Sequence, residues 1–142
     1  MNRSASAIWH GGLKDGKGTV STQSGAVKDL QYSFGSRFEN GVGTNPEELL
    51  GAAHAGCYSM ALSAQFTEAG LKPDTIDTTA VVTLEILKDG GPTITKIHLT
   101  TKVKASGVDK AKFDELANNA KVGCPLSKVL KAAEITLDAT LV

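Results

Sequence analysis

Two cysteines, Cys57 and Cys124, are the residues in this chain whose type and setting invite chemistry. Cys57 sits inside a long uncharged stretch: from Leu49 through Thr67 there is no Asp, Glu, Lys or Arg. A buried thiol by itself is an ordinary small hydrophobe. Cys124 gives it company, standing just before Pro125 at the expected start of a helix, where backbone N–H groups stabilise a thiolate. Two distant cysteines, each at a helix terminus or in a buried helix, fit a redox pair. They do not fit a metal site: there is no CxxC, and His10, His54 and His98 show no ligand spacing.

Arg37 is the natural activator of such a thiol. Burial raises a thiol pKa, and an adjacent guanidinium reverses the shift. Arg37 lies in an aromatic segment, Tyr32-Ser33-Phe34-Gly35-Ser36-Arg37-Phe38. An inward-facing Arg needs an anionic partner, and Glu47 or Glu48 can hold its fork in a bidentate pair. The competing reading makes Arg37 a solvated edge charge and both glutamates plain helix-dipole partners. Geometry adds a difficulty, because ten residues of helix rise about 15 Å and Glu47 cannot touch Cys57 along one straight helix. Either the helix breaks near Gly51, or Arg37 bridges the gap, or Glu47 serves the Cys57 of a second subunit. His54, three residues before Cys57, shares its helix face and is either the base of a cysteine hydrolase or a packed core histidine. Ser59 and Ser127 have no visible base partner.

The elements that must position these residues are readable in outline. Asn45 is an N-cap, Pro46 suits the first helical position, and Glu47 and Glu48 favour the first turn. The helix they open closes near Gly70, with Pro73 beyond. Ala, Leu, Met and Phe lie on all its sides, which predicts a helix buried all round. Upstream, Ala5–His10 and Gly18–Thr22 read as a hairpin, and Tyr32 to Phe38 as an extended segment. Downstream, Thr75–Lys88 and Thr93–Ala105 read as paired antiparallel strands around the Asp89-Gly90-Gly91-Pro92 turn. Asp109 caps a helix over Lys110–Val122, with Phe113, Leu116, Ala117 and Ala120 on one stripe. A short helix after Cys124-Pro125 and a strand over Glu134–Leu141 complete an α+β order.

The 142 residues suit one domain spanning 1–142, with 41% hydrophobic and 21% charged residues. A formal net charge of zero argues against nucleic acid or an anionic membrane as partner. No signal peptide is visible, polar residues interrupt the apolar run, and the expected location is the cytoplasm. A sheet of about five strands covers one face of the central helix only. The second layer is therefore expected to be another copy of the chain, a homodimer with this helix near its two-fold axis. Cover from the other two helices of the same subunit is the alternative.

Asn45-Pro46-Glu47-Glu48-Leu49 with Ala52-Ala53-His54-Ala55-Gly56-Cys57-Tyr58-Ser59-Met60-Ala61-Leu62 resembles the OsmC/Ohr family. So do Gly123-Cys124-Pro125-Leu126-Ser127 and Ala133-Glu134-Ile135-Thr136-Leu137. Ala7-Ile8-Trp9-His10-Gly11, Gly16-Lys17-Gly18-Thr19-Val20-Ser21-Thr22 and Arg37-Phe38-Glu39 point to its OsmC branch, osmotically inducible peroxidases. The resemblance implies an intertwined homodimer with central helices enclosed by antiparallel sheets. It implies a stress-response antioxidant enzyme that reduces organic hydroperoxides to alcohols. Cys57 matches the peroxidatic cysteine, Cys124 the resolving one, and Arg37 and Glu47 the pair completing the site. Turnover then runs through a Cys57 sulfenic acid and a Cys57–Cys124 disulfide, recycled by an external dithiol of lipoyl type, with no bound cofactor or metal. Tyr58 stands where Phe is more usual. A cysteine hydrolase using Cys57 and His54, and a non-enzymatic redox-responsive interaction domain, are the rival readings.

Overall fold

The computed structural model describes all 142 residues, which fall into two compact units, Met1–Leu49 and Leu50–Val142. The first unit is a three-stranded antiparallel sheet in the order β1-β2-β3, with β1 at Ala5–His10, β2 at Lys17–Thr22 and β3 at Leu30–Ser33. The expected hairpin forms, pairing Ala5 with Thr22 and His10 with Lys17. The segment expected to run extended to Phe38 instead turns after β3 into a five-residue helix, α1 (Phe34–Phe38). The cause is a local serine pair. Ser33 Oγ accepts the Ser36 N–H at 3.1 Å, and Ser36 Oγ accepts the Ser33 N–H at 2.8 Å. Ser36 Oγ also donates to Thr44 O at 2.8 Å, and Asn45 Nδ2 to Ser36 O at 3.2 Å, pinning the loop that enters the long helix.

That helix is α2 (Pro46–Glu68). Asn45 Oδ1 accepts the Glu48 N–H at 2.8 Å, as its sequence position predicts. At the other end Gly70 is left-handed, with φ 72°. Leu71 N–H donates to Phe66 O and Gly70 N–H to Thr67 O, the paired bonds of a Schellman stop. No helix is long and apolar enough to cross a membrane.

The second unit holds most of α2 together with β4 (Pro73–Leu87), β5 (Gly91–Ala105), α3 (Lys110–Gly123), α4 (Pro125–Val129) and β6 (Glu134–Leu141). The sheet order is β4-β5-β6. The β4–β5 hairpin is antiparallel, but β6 joins β5 in parallel, with Ile97 opposite Ile135 and Leu99 opposite Leu137. The chain therefore makes two three-stranded sheets, one of them mixed, and not one sheet of about five strands. The parallel pairing is possible because α3 and α4 carry the chain back before β6 begins.

Along β5 the inward residues alternate: Ile97, Leu99, Thr101 and Val103 are buried. Against them pack Tyr58, Leu62 and Phe66 of α2 and Phe113, Leu116, Ala117 and Ala120 of α3, the stripe the sequence predicts. A chain of hydroxyls runs through this layer: Ser59 donates to Thr78 at 2.9 Å, and Thr78 and Thr101 lie 2.9 Å apart. The helix α2 is not buried all round within the chain. His54, Tyr58, Leu62 and Phe66 form an enclosed stripe, while Ala53, Gly56, Met60 and Ala64 are exposed, Met60 at 77%.

Leu62 is fully enclosed, so Leu62→Ala should cost about 2–5 kcal/mol of stability. Losing the Asn45 cap in Asn45→Ala should cost about 1 kcal/mol. Urea titration should show both as lower midpoints at unchanged slope.

Candidate functional site

Arg37 sits on α1 and Glu47 on the first turn of α2, both in the first unit. Arg37 Nη2 donates to Glu47 Oε1 at 2.8 Å, and Nε lies 3.2 and 3.3 Å from the two carboxylate oxygens. Of the two candidate glutamates, Glu47 holds the fork and is buried; Glu48 is exposed and supplies the capped N–H. The bond set uses Nε and Nη2 and leaves Nη1 outside the pair. The guanidinium carbon lies 5.1 Å from the centre of the Phe38 ring, which limits its swing. Arg37 is thus oriented by a bidentate, charge-assisted contact and is not a loose edge charge.

Cys57 and Cys124 come together in the second unit. Their sulfurs are 2.9 Å apart, both as free thiols, although 67 residues separate them in the chain. Cys124 is completely enclosed; Cys57 is half-buried, on the margin between the enclosed and exposed stripes of α2. Cys124 occupies the N-cap position of α4 without making a side-chain cap bond, and its thiol donates to Cys57 instead. Pro125 fills the first position of α4, so the first available N–H of that helix belongs to Leu126, and it pulls the Cys57 pKa down.

The electrostatics of Cys57 within its own unit run upward. Burial raises its pKa, the neighbouring Cys124 adds to the rise, and only the Leu126 N–H pulls down. A positive charge near Cys57 would oppose that rise and favour its thiolate.

Gly51 does not break α2, which is continuous from Pro46 to Glu68. It permits a close approach instead: a Cβ there would stand 3.3 Å from Ala80 O and 3.5 Å from Val82 Cγ2 on β4. One of the three expected ways of bringing Glu47 to a Cys57 sulfur is thereby removed.

His54 is completely enclosed, and its Nε2 bonds Ser127 Oγ at 2.8 Å. Its ring serves a serine on α4 and not Cys57, and burial holds its pKa below the ordinary value. The hydrolase reading loses its base. Ser127, which has no visible partner in the sequence, has this one, concealed by the 73-residue separation. Tyr58 turns its hydroxyl to Ala117 O at 3.3 Å in the core. No three His, Cys, Asp or Glu side chains converge as metal ligands.

Comparison with known proteins gives a consistent set of relatives. The model of the family described as OsmC-like protein matches residues 38–139. Peroxiredoxin OsmC of Escherichia coli is 53% identical over 141 residues, covering 99% of this chain and 97% of that protein. Organic hydroperoxide resistance protein OhrB of Bacillus subtilis is 34% identical over 93 residues, 66% of each chain. The crystal structure of that OhrB superposes with a TM-score of 0.68 at 27% identity, covering 98% of both chains. An OsmC-like protein from Mycoplasma pneumoniae, at 13% identity and TM-score 0.78 over 100% of this chain and 98% of that one, shares the fold.

The neutral, buried His54 carries a pH signature. Its folded-state pKa lies below its unfolded value, so its contribution to stability is present above the unfolded pKa and lost as pH falls. The urea midpoint should fall on acidification below about pH 6.5, and His54→Leu should flatten that part of the profile.

Proposed function

The chain belongs to the OsmC-like family, and on that premise we propose that it is a thiol-dependent peroxidase that reduces organic hydroperoxides to alcohols. The observation that carries the reading is the sulfur pair: two free thiols 2.9 Å apart, one reachable and one enclosed. A peroxide can meet Cys57, whereas Cys124 meets only Cys57. That asymmetry supports a peroxidatic Cys57 and a resolving Cys124.

In the first step the Cys57 thiolate attacks the terminal peroxide oxygen. The O–O bond breaks, an alkoxide leaves as the alcohol after protonation, and Cys57 becomes a sulfenic acid. Cys124 then attacks the Cys57 sulfur; the S–O bond breaks, an S–S bond forms, and hydroxide departs as water. An external dithiol, of lipoyl type in this proposal, restores the thiols by exchange and is itself oxidised. The exchange starts at Cys57, the sulfur a reductant can reach. The cytoplasm, where dithiols are kept reduced, is the setting this cycle needs.

Arg37, oriented by Glu47, is proposed as the cation that keeps Cys57 ionised and steadies charge on the breaking O–O bond. The exposed Ala53, Met60 and Ala64 face of α2 supports a homodimer. In it, the Arg37–Glu47 pair of one subunit serves the Cys57 of the other, the trans arrangement the sequence left open.

Stoichiometric cumene hydroperoxide should remove both thiols from alkylation and leave an intramolecular disulfide in the mass spectrum; persistence of both thiols would refute the peroxidase reading. Cys57→Ser should abolish turnover. Cys124→Ser should allow a single turnover and expose Cys57 to overoxidation. Arg37→Ala should move the pH at which Cys57 reacts with iodoacetamide upward, and an unmoved titration would remove Arg37 from the site.

A further inference from the structure

The helix that carries the resolving cysteine is only five residues long, and its N-cap residue makes no side-chain cap bond. So short a helix has little stability of its own. Its position must be set by contacts, because a reacting sulfur misplaced by an ångström loses rate steeply. Two side-chain hydrogen bonds tie it to α2: Cys124 to Cys57, and Ser127 to His54. The spacing is the same on both helices, His54 and Cys57 being three residues apart on α2, and Cys124 and Ser127 three apart on α4. The two bonds are rungs between the same pair of helices.

The rungs differ in what the reaction does to them. The sulfur rung is consumed each cycle, when Cys57 takes up oxygen and Cys124 gives up its proton. The His54–Ser127 rung contains no redox-active atom, so oxidation of the sulfurs does not consume it. It is also retained at a cost. His54 is wholly enclosed, yet its Nδ1 finds no partner. A leucine of similar volume would leave no orphaned nitrogen. The arrangement with least penalty makes Nδ1 the bare acceptor and Nε2 the N–H donor to Ser127 Oγ, since orphaned donors are the rarer case.

We propose that the buried His54–Ser127 hydrogen bond positions α4 for the resolving step, holding Cys124 at attacking distance once Cys57 has become a sulfenic acid. The step itself is unchanged: Cys124 thiolate attacks the Cys57 sulfur, the S–O bond breaks, and hydroxide leaves as water. His54 and Ser127 touch neither the peroxide nor the sulfur in flight. They are positioning residues, and their effect falls on resolution and not on peroxide attack. The inference rests on the peroxidase reading.

The test separates the two steps by rapid mixing with cumene hydroperoxide, following loss of the Cys57 thiol and then disulfide formation. In Ser127→Ala, thiol loss should stay within about twofold of the unmodified protein, and disulfide formation should slow by about tenfold to a hundredfold. The peroxide concentration producing Cys57 sulfinic acid should fall by the same factor. Ser127→Thr, which keeps the oxygen, should restore both. Unchanged resolution in Ser127→Ala, equal slowing of both steps, or no rescue by threonine would overturn the proposal. If Ser127→Ala does not fold, His54→Leu removes the donor at similar volume and carries the same expected split. Failure of both to fold would assign the bond to core stability and overturn the proposal too. If the unmodified protein forms no disulfide, the peroxidase reading itself fails. If it forms one and the variants match its rate, only the positioning role is lost.

Discussion

The contact on which the second unit turns is a sulfur against a sulfur, 2.9 Å apart, with a helix behind each. Cys57 is carried by the longest helix of the chain and Cys124 by one of the two shortest. Long helices are fixed by their packing, and α2 has Tyr58, Leu62 and Phe66 sunk against β5 and α3. The short helix α4 is fixed by the end of α3 before it and by its side-chain bonds to α2. A reaction between the two sulfurs asks for a sub-ångström adjustment, with no unfolding and no long closure. The entropy of bringing residues 67 apart together has been met by folding and is not charged to each turnover.

That closeness has an electrostatic consequence. Enclosure makes the pair fit to react but pushes the Cys57 thiol toward its neutral form, and the nearby Cys124 pushes the same way. One backbone N–H, from Leu126, opposes them. The nucleophile is the thiolate, so burial and Cys124 work against the reactive form. The first unit holds a guanidinium fixed by a buried carboxylate and backed by an aromatic ring, with one amino group outside the pair.

Much of this was legible in the residues, for reasons that differ by element. Caps and stops depend on a few neighbouring atoms, so Asn45, Asp109 and Gly70 announced the helix ends correctly. Periodicity gave the α3 stripe and the β6 limits. The failures are tertiary or very short. The α1 turn rests on a reciprocal pair of serine hydroxyls that aromatic alternation masked. The parallel placement of β6 is decided by the route of two intervening helices, which no local pattern encodes. Gly51 looked like a breaker and is a point of close approach to β4. Of the candidate site, both cysteines and the arginine were marked by type and setting, and the glutamate as one of two, Glu47 or Glu48. The His54–Ser127 bond was not, because neither residue's surroundings predict a partner on another helix.

The half-covered helix joins these strands of the argument. A sequence apolar on all sides led to the expectation of a helix buried all round, yet one stripe, with Met60 at 77% exposure, stands open within the chain. Cys57 lies on the edge of that stripe. Any layer laid over Ala53, Met60 and Ala64 removes more water from the thiol and drives its pKa further up, unless the layer brings positive charge with it. An apolar cover alone would complete the fold and silence the sulfur. A second copy of this chain carries both an apolar face and an anchored guanidinium. The requirement that burial and activation arrive together is the physical reason for proposing a dimer whose sites are shared between subunits.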